Sequence, residues 1–267
     1  MRSTKLNNGD YVIDSPEFFE ANETRLLGID APEVLMVKHV DNCFAAALKS
    51  ESKLPNDMTV DSVTGNILPE NRLLGFSGYN FRHLMNNLCS FPGANYLEVG
   101  VFRGSTLVCS VYGNEATLGE VHAVDNFSEF NVGTHPKESL EWAMKRFLPK
   151  TKDRIQFHEV DCFDWDFSAL PKIDIYFYDG EHSFESQRKA FTHFEPVFAD
   201  CFIAVVDDWE QRQVRRGTRA AFEEMGYDVL SSRSIIPGQR PEKANRVNNP
   251  TADWWCGTYV AVLKKRA

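Results

Sequence analysis

The chain has 267 residues, 43% hydrophobic and 25% charged, with a net charge of −9 at neutral pH; that length supports one large domain or a domain with a smaller appendage. The acidic balance argues against a partner bound mainly through nucleic-acid phosphates, because such binding needs a basic face to displace counterions. No apolar run approaches the roughly 20 residues that cross a bilayer, no hydrophobic segment follows the basic start "MRSTKLNNGDY", and the six cysteines form no C-x-x-C pair, so the expectation is a soluble, cytoplasmic protein with no membrane partner, zinc site or disulfide framework.

In chain order, residues 1–90 come first and show helical patterns over 16–27 and 32–49, the loop "KLPNDMTVDSVTGNILPEN" (53–71), and a helix over 79–88. We read residues 1–77 as an N-terminal helical extension and 78–267 as the main domain. From residue 96 short apolar runs alternate with amphipathic ones. Strands are predicted over 95–99, 120–124, 154–160, 173–178 and 201–206, and helices over 105–112, 137–148, 183–197 and 211–225. This is the pattern of an α/β, doubly wound sheet with helices on both faces. Two further β-like segments, 227–236 and 257–263, flank the polar loop "PGQRPEKANRVNNPTAD" (237–253). With no helix between them, they are expected to be antiparallel neighbours at a sheet edge.

The first strand runs into "NYLEVGVFRGST", which places Glu98, Gly100, Gly104 and Ser105 at the strand end and the start of the next helix. Glycine there permits dihedrals closed to other residues and lets the backbone approach a ligand. The E-x-G-x-x-x-G spacing differs from the G-x-G-x-x-G of dinucleotide binders, which disfavours a nicotinamide or flavin enzyme. Asp125 ends the second strand ("VHAVD") and Asp161 the third ("FHEVD"). Ligands of open α/β sheets sit outside the carboxyl ends of strands, where an acidic residue can hold ribose hydroxyls; capping a helix or facing water is the alternative for each.

In this order and spacing, "YLEVGVFRGST", "AVDNF", "IYFYDGEHSFE" and "VVDDW" resemble class I S-adenosylmethionine-dependent methyltransferases. The resemblance covers roughly residues 78–263 and is nearest to the group with a D-G-x-H-x-[YF]-E signature, which includes the macrocin-type sugar O-methyltransferases. It implies a Rossmann-like seven-stranded sheet whose last strand is antiparallel, with S-adenosyl-L-methionine as cofactor. On that resemblance the 100–104 turn, flanked by Glu98 and Ser105, lies under the methionine moiety, Asp125 holds the ribose, and Asp161 with Cys162 borders the adenine.

Two strands that look buried end in charge: "IDIYFYDGEH" in Asp179 and "CFIAVVDDW" in Asp207 and Asp208. In such a fold these carboxylates come from neighbouring strands, and three like charges at one point repel unless a cation is present. Mg2+, hard and oxygen-preferring, is the expected ion. It would bind an acceptor hydroxyl and lower its pKa. The resemblance makes His182 a candidate general base beside Asp179. Against the metal stand three simpler readings: Asp208 as a helix N-cap, Asp179 with Gly180 as a turn, and neutralisation by Arg215, Arg216 or Arg219. Trp209, Trp254 and Trp255 either line a pocket or pack in the core. The function expected is O-methylation of a small hydroxylated, sugar-like or natural-product acceptor, with a metal-independent N- or C-methyltransferase or a non-catalytic ligand-binding module as alternatives. The partner expected is that small-molecule acceptor, and assembly of identical copies is left open.

Overall fold

The computed structural model describes residues 2–5, 11–14, 31–55, 73–129, 133–151, 154–236, 254 and 256–266. The helical pattern at 16–27, most of the loop at 53–71, the loop at 237–253 and Trp255 lie outside them. The chain divides into two compact units, one of residues 1–42, 166–240 and 256–267, the other of 43–165 and 241–255.

In the first unit the strands β1 (Arg2–Lys5), β2 (Tyr11–Asp14), β6 (Ile173–Tyr178), β7 (Phe198–Asp207), β8 (Asp228–Ile236) and β9 (Thr258–Lys264) lie in the order β1-β2-β8-β9-β7-β6. β6 and β7 are parallel, while β9 runs antiparallel to both β7 and β8. The second unit carries β3 (Tyr96–Val99), β4 (Val121–Val124) and β5 (Ile155–His158), paired in parallel in that order. Strands β3 to β9, the last antiparallel, make the seven-stranded Rossmann-like methyltransferase fold expected from the sequence. Parallel strands covered on both faces read as continuous apolar runs rather than alternations. β3 and β4 are buried at every position, as is β7 from Phe202 to Asp207.

The expectation of an edge for the last two strands needs correction. β8 and β9 are antiparallel neighbours, but β9 is hydrogen-bonded on both sides and β8 pairs with β2. β1 and β2 have four residues each, too short for a period-two pattern to stand out.

The helices are α1 (Ala31–Ala47), α2 (Tyr79–Leu88), α3 (Ser105–Val111), α4 (Pro136–Phe147), α5 (Phe184–Thr192) and α6 (Arg212–Met225). Their ends follow local chemistry. Ser183 caps α5 by accepting the Ser186 N–H, and α6 stops at Gly226, left-handed at φ +65°. The single helix expected over 183–197 is interrupted. α5 ends at Thr192 and a 3-10 turn, Glu195–Val197, follows, because Pro196 has no N–H to give the Thr192 carbonyl four residues back and its ring crowds that carbonyl. Tyr176, Phe191, Phe194, Phe198, Phe202 and Phe222 form linked ring contacts in the core of the first unit. α5 and α6 meet at Gly217, where an added Cβ would lie 2.4 Å from the Phe184 carbonyl oxygen.

Candidate functional site

The glycine turn belongs to the second unit. Gly100 and Gly104 have φ of +88° and +80°, left-handed values that favour glycine. Gly104 is also where a Cβ would fall 2.3 Å from Leu140 Cδ1. Between them the chain is tied to the end of β4. Asp125 Oδ2 accepts the N–H groups of Val101 and Phe102, each at 2.7 Å, and Oδ1 accepts that of Phe127 at 2.7 Å. Asp161 is exposed, its Oδ1 accepting the Phe163 N–H at 2.9 Å and its Oδ2 facing Asn126 Nδ2 at 3.4 Å. Cys162, next to it, is half-buried.

Glu98 and Ser105 point elsewhere. Glu98 is fully buried and accepts the Tyr96 hydroxyl at 2.6 Å, with Ser110 3.4 Å from that hydroxyl. Ser105 Oγ is 3.0 Å from Ser77 Oγ in the interior. A methyl-donor nucleoside fits what remains: Gly100 is half-exposed, and a carboxylate offers about four acceptor sites, of which three at Asp125 are filled from the backbone.

In the first unit the loops after β6 and β7 bring charged side chains together. His182 Nε2 lies 2.8 Å from Asp208 Oδ2 and 3.6 Å from Asp179 Oδ1. The ligand atoms of Asp179, His182 and Asp208 all fall within 4.8 Å of one another, as do those of Asp208, Glu210 and Cys256. Asp208 has φ +52°, so the chain turns out of the strand at this residue. The turn is fastened to residues just before β9 by Glu210 N–H to the Cys256 carbonyl at 3.1 Å.

Asp207 stays outside both sets of metal-ligating atoms. It is 5% exposed and pairs with Thr258 in the ladder, and consecutive strand residues face opposite sides of a sheet. This corrects the expected trio Asp179, Asp207 and Asp208: the side chains that meet are those of Asp179, His182 and Asp208. Asp208 is not a helix cap either, since α6 starts after Gln211. Among the described residues Arg215, Arg216 and Arg219 form no ion pair with these aspartates. Arg215 donates to the Trp209 carbonyl and Arg216 lies over the Phe184 ring.

The electrostatics follow from this geometry. Burial on its own would lower the His182 pKa, but hydrogen bonding to Asp179 and Asp208 and their charges outweigh it and raise the group to about 11. Burial would raise Asp208, yet the bond and charge of His182, with hydrogen bonds involving Gln211 and Cys256, hold it below the usual carboxylate range. Asp207 is pushed well above that range by burial and by the charges of Asp179 and Asp208. Burial and the neighbouring acids push the Cys256 thiol up as well, so it is no activated nucleophile. Two carboxylates and an imidazole suit a divalent cation, and the donor set fits one. Trp209 and Trp254 are buried, Trp209 stacking on Tyr259 at 4.2 Å, which answers the pocket-or-core question for these two in favour of core.

Sequence reasoning missed Glu210 and Cys256. Glu210 lay in plain sight after "VVDDW", whereas nothing local to Cys256 marks it, because β9 alone brings it to the cluster.

Residues 97–209 match the family model described as a methyltransferase domain. No curated protein matches the sequence significantly. Among solved structures, the methyltransferase PaMTH1 of Podospora anserina is similar at TM-score 0.54 and 12% identity, over 85% of this chain and 95% of that one. The O-methyltransferase of Bacillus cereus is similar at TM-score 0.47 and 13% identity, over 93% and 99%. TrmN of Thermus thermophilus is similar at TM-score 0.47 and 14% identity over 70% of this chain, which spans 48% of TrmN's length. Among the described residues no helix is long and apolar enough to cross a membrane. Residues 97–209 thus match a methyltransferase domain in sequence, and the chain around them shares the Rossmann-like fold of the Podospora methyltransferase.

Proposed function

We propose that the chain transfers a methyl group from S-adenosylmethionine to an oxygen of a small hydroxylated acceptor, with a divalent cation held by Asp179 and Asp208 beside His182. The observation that carries this reading is the convergence of those three side chains from the ends of β6 and β7. The turn at Gly100 and Asp125 supports the cofactor half, as do the family match over residues 97–209 and the S-adenosylhomocysteine named in the Podospora structure. Membership of the D-G-x-H-x-[YF]-E group rests on "DGEHSFE" itself.

In this proposal Asp125 and Asp161 take nucleoside hydroxyls or amine groups, and the 100–104 backbone leaves room for the methionine end. The cation, when bound, supplies a Lewis acid that lowers the pKa of a hydroxyl oxygen. His182 needs a neutral imidazole to accept the hydroxyl proton, and the carboxylates that keep it protonated, Asp179 and Asp208, are the two that a cation would occupy.

The test is methyl transfer, read as S-adenosylhomocysteine release across a panel of hydroxylated acceptors, with EDTA and with added Mg2+ or Mn2+. Loss with EDTA and recovery with metal supports the proposal. Transfer indifferent to EDTA favours the metal-independent reading, for which the His182 imidazolium already balances Asp179 and Asp208. Absence of any S-adenosylmethionine-induced thermal shift points to a non-catalytic module.

A further inference from the structure

Phe102 and Arg103 lie inside the glycine turn. Phe102 has φ +49°, an uncommon conformation for a bulky residue, held by the Asp125 bond to its N–H. Its ring stacks on Phe76, with centroids 5.1 Å apart and 15° between planes, and the Arg103 guanidinium carbon stands 5.1 Å from the same ring's centroid.

Phe76 is 46% exposed, yet it is firmly placed. Arg82, fully buried, donates to Ser77 Oγ at 2.8 Å and to the carbonyls of Leu73 and Gly75 at 3.3 and 3.4 Å. Gly75 is so close to α3 that a Cβ there would fall 1.9 Å from Ser105 Oγ. An exposed aromatic ring on a clamped backbone, stacked against a ring that also carries a guanidinium, is a rigid way to present a positive charge. Arg103 is itself half-buried. Its planar fork of five N–H donors can grip a carboxylate with two of them and leave others for the protein.

Of the charged groups on S-adenosylmethionine, only the α-carboxylate is an anion. Resting on the cofactor reading above, we propose that Arg103, steadied on the Phe102–Phe76 stack, binds the α-carboxylate of the methionine end and so selects a nucleoside that carries its amino-acid tail over one that has lost it. The prediction separates two ligands that share adenine, ribose and sulfur: S-adenosylhomocysteine, which keeps the tail, and 5′-methylthioadenosine, which lacks it.

Isothermal titration of the full chain with each ligand is the test. Arg103→Ala is expected to weaken S-adenosylhomocysteine about tenfold or more, the scale of charge-assisted hydrogen bonds, and to leave 5′-methylthioadenosine within about twofold. Arg103→Lys, which keeps the charge and loses the fork, is expected to fall between. Equal weakening of both ligands, or an unchanged affinity for S-adenosylhomocysteine, overturns the role of Arg103 alone. Failure of the unaltered protein to bind either ligand overturns the cofactor reading and this proposal with it.

Discussion

His182 Nε2 sits 2.8 Å from Asp208 Oδ2 and 3.6 Å from Asp179 Oδ1, so one imidazolium answers the charge at the ends of two paired strands. A proton and a divalent cation compete for the same carboxylates. Millimolar Mn2+ or Mg2+ is expected to raise Tm by mass action, and His182→Ala to reduce methyl transfer by about 100-fold, with S-adenosylhomocysteine affinity within about threefold of the unaltered protein. Calorimetry and initial rates check this; a parallel collapse of nucleoside affinity would contradict the division of roles.

Asp207 and Asp208 are adjacent in sequence but placed differently, and their variants should separate. Asp208→Asn removes a ligand atom and the partner of His182, and is expected to abolish the metal-induced rise in Tm. Asp207→Asn replaces a buried carboxyl crowded by two like charges with a neutral isostere, so it should retain that rise and lose under about 1 kcal/mol of stability. Thermal scans with and without metal compare the two; the opposite pattern would restore Asp207 to the ligand set.

At Gly217 the backbone of α6 packs directly against α5. The Cβ of Gly217→Ala would lie 2.4 Å from the Phe184 carbonyl oxygen and 2.7 Å from Gln187 Cβ, and backbone cannot yield as a flexible side chain does. Alanine's better helix propensity, worth about 1 kcal/mol, is outweighed by overpacking of about 1–3 kcal/mol. Because Phe184 opens the helix that follows His182, the variant is expected to lose activity as well as Tm.

His122 and His158 face each other at 3.4 Å across β4 and β5, and Trp165 covers His158 at 4.2 Å between ring centroids. Burial lowers the pKa of both, and the charge of His122 adds to the lowering at His158. A histidine with a depressed folded-state pKa favours its neutral form in the native state. Its contribution is therefore present above the unfolded value near 6.5 and is lost as pH falls through that value toward the folded one. Tm is expected to drop between about pH 7 and pH 5, and His158→Phe, which keeps the contact with Trp165, should flatten that drop. A Tm–pH curve unchanged by the substitution would rule this pair out as its source.

Much of the fold was legible before any coordinate. The apolar runs "NYLEV", "IDIYFY" and "CFIAVV" read as buried strands because β-branched and aromatic residues crowd there and polar turn residues bound them. The break in the helix expected over 183–197 is legible too, in Pro196. β1 and β2 were not, since a four-residue strand carries too little pattern to be told from a loop.

The sequence by itself determined the order of strands and helices from residue 96 onward, the glycines of the first turn, and the fact that two buried strands end in acid, because these follow from local periodicity and from the dihedrals that only glycine adopts freely. The tertiary structure alone decided which charges meet. Asp207 and Asp208 are equivalent in the chain, and only the left-handed turn at Asp208 sends one to His182 while the ladder keeps the other inside. Cys256 arrives at the same place solely because β9 pairs with β7. Long-range pairing leaves no mark in the residues that it joins, and that is why composition and spacing pointed to a site while its membership waited for the fold.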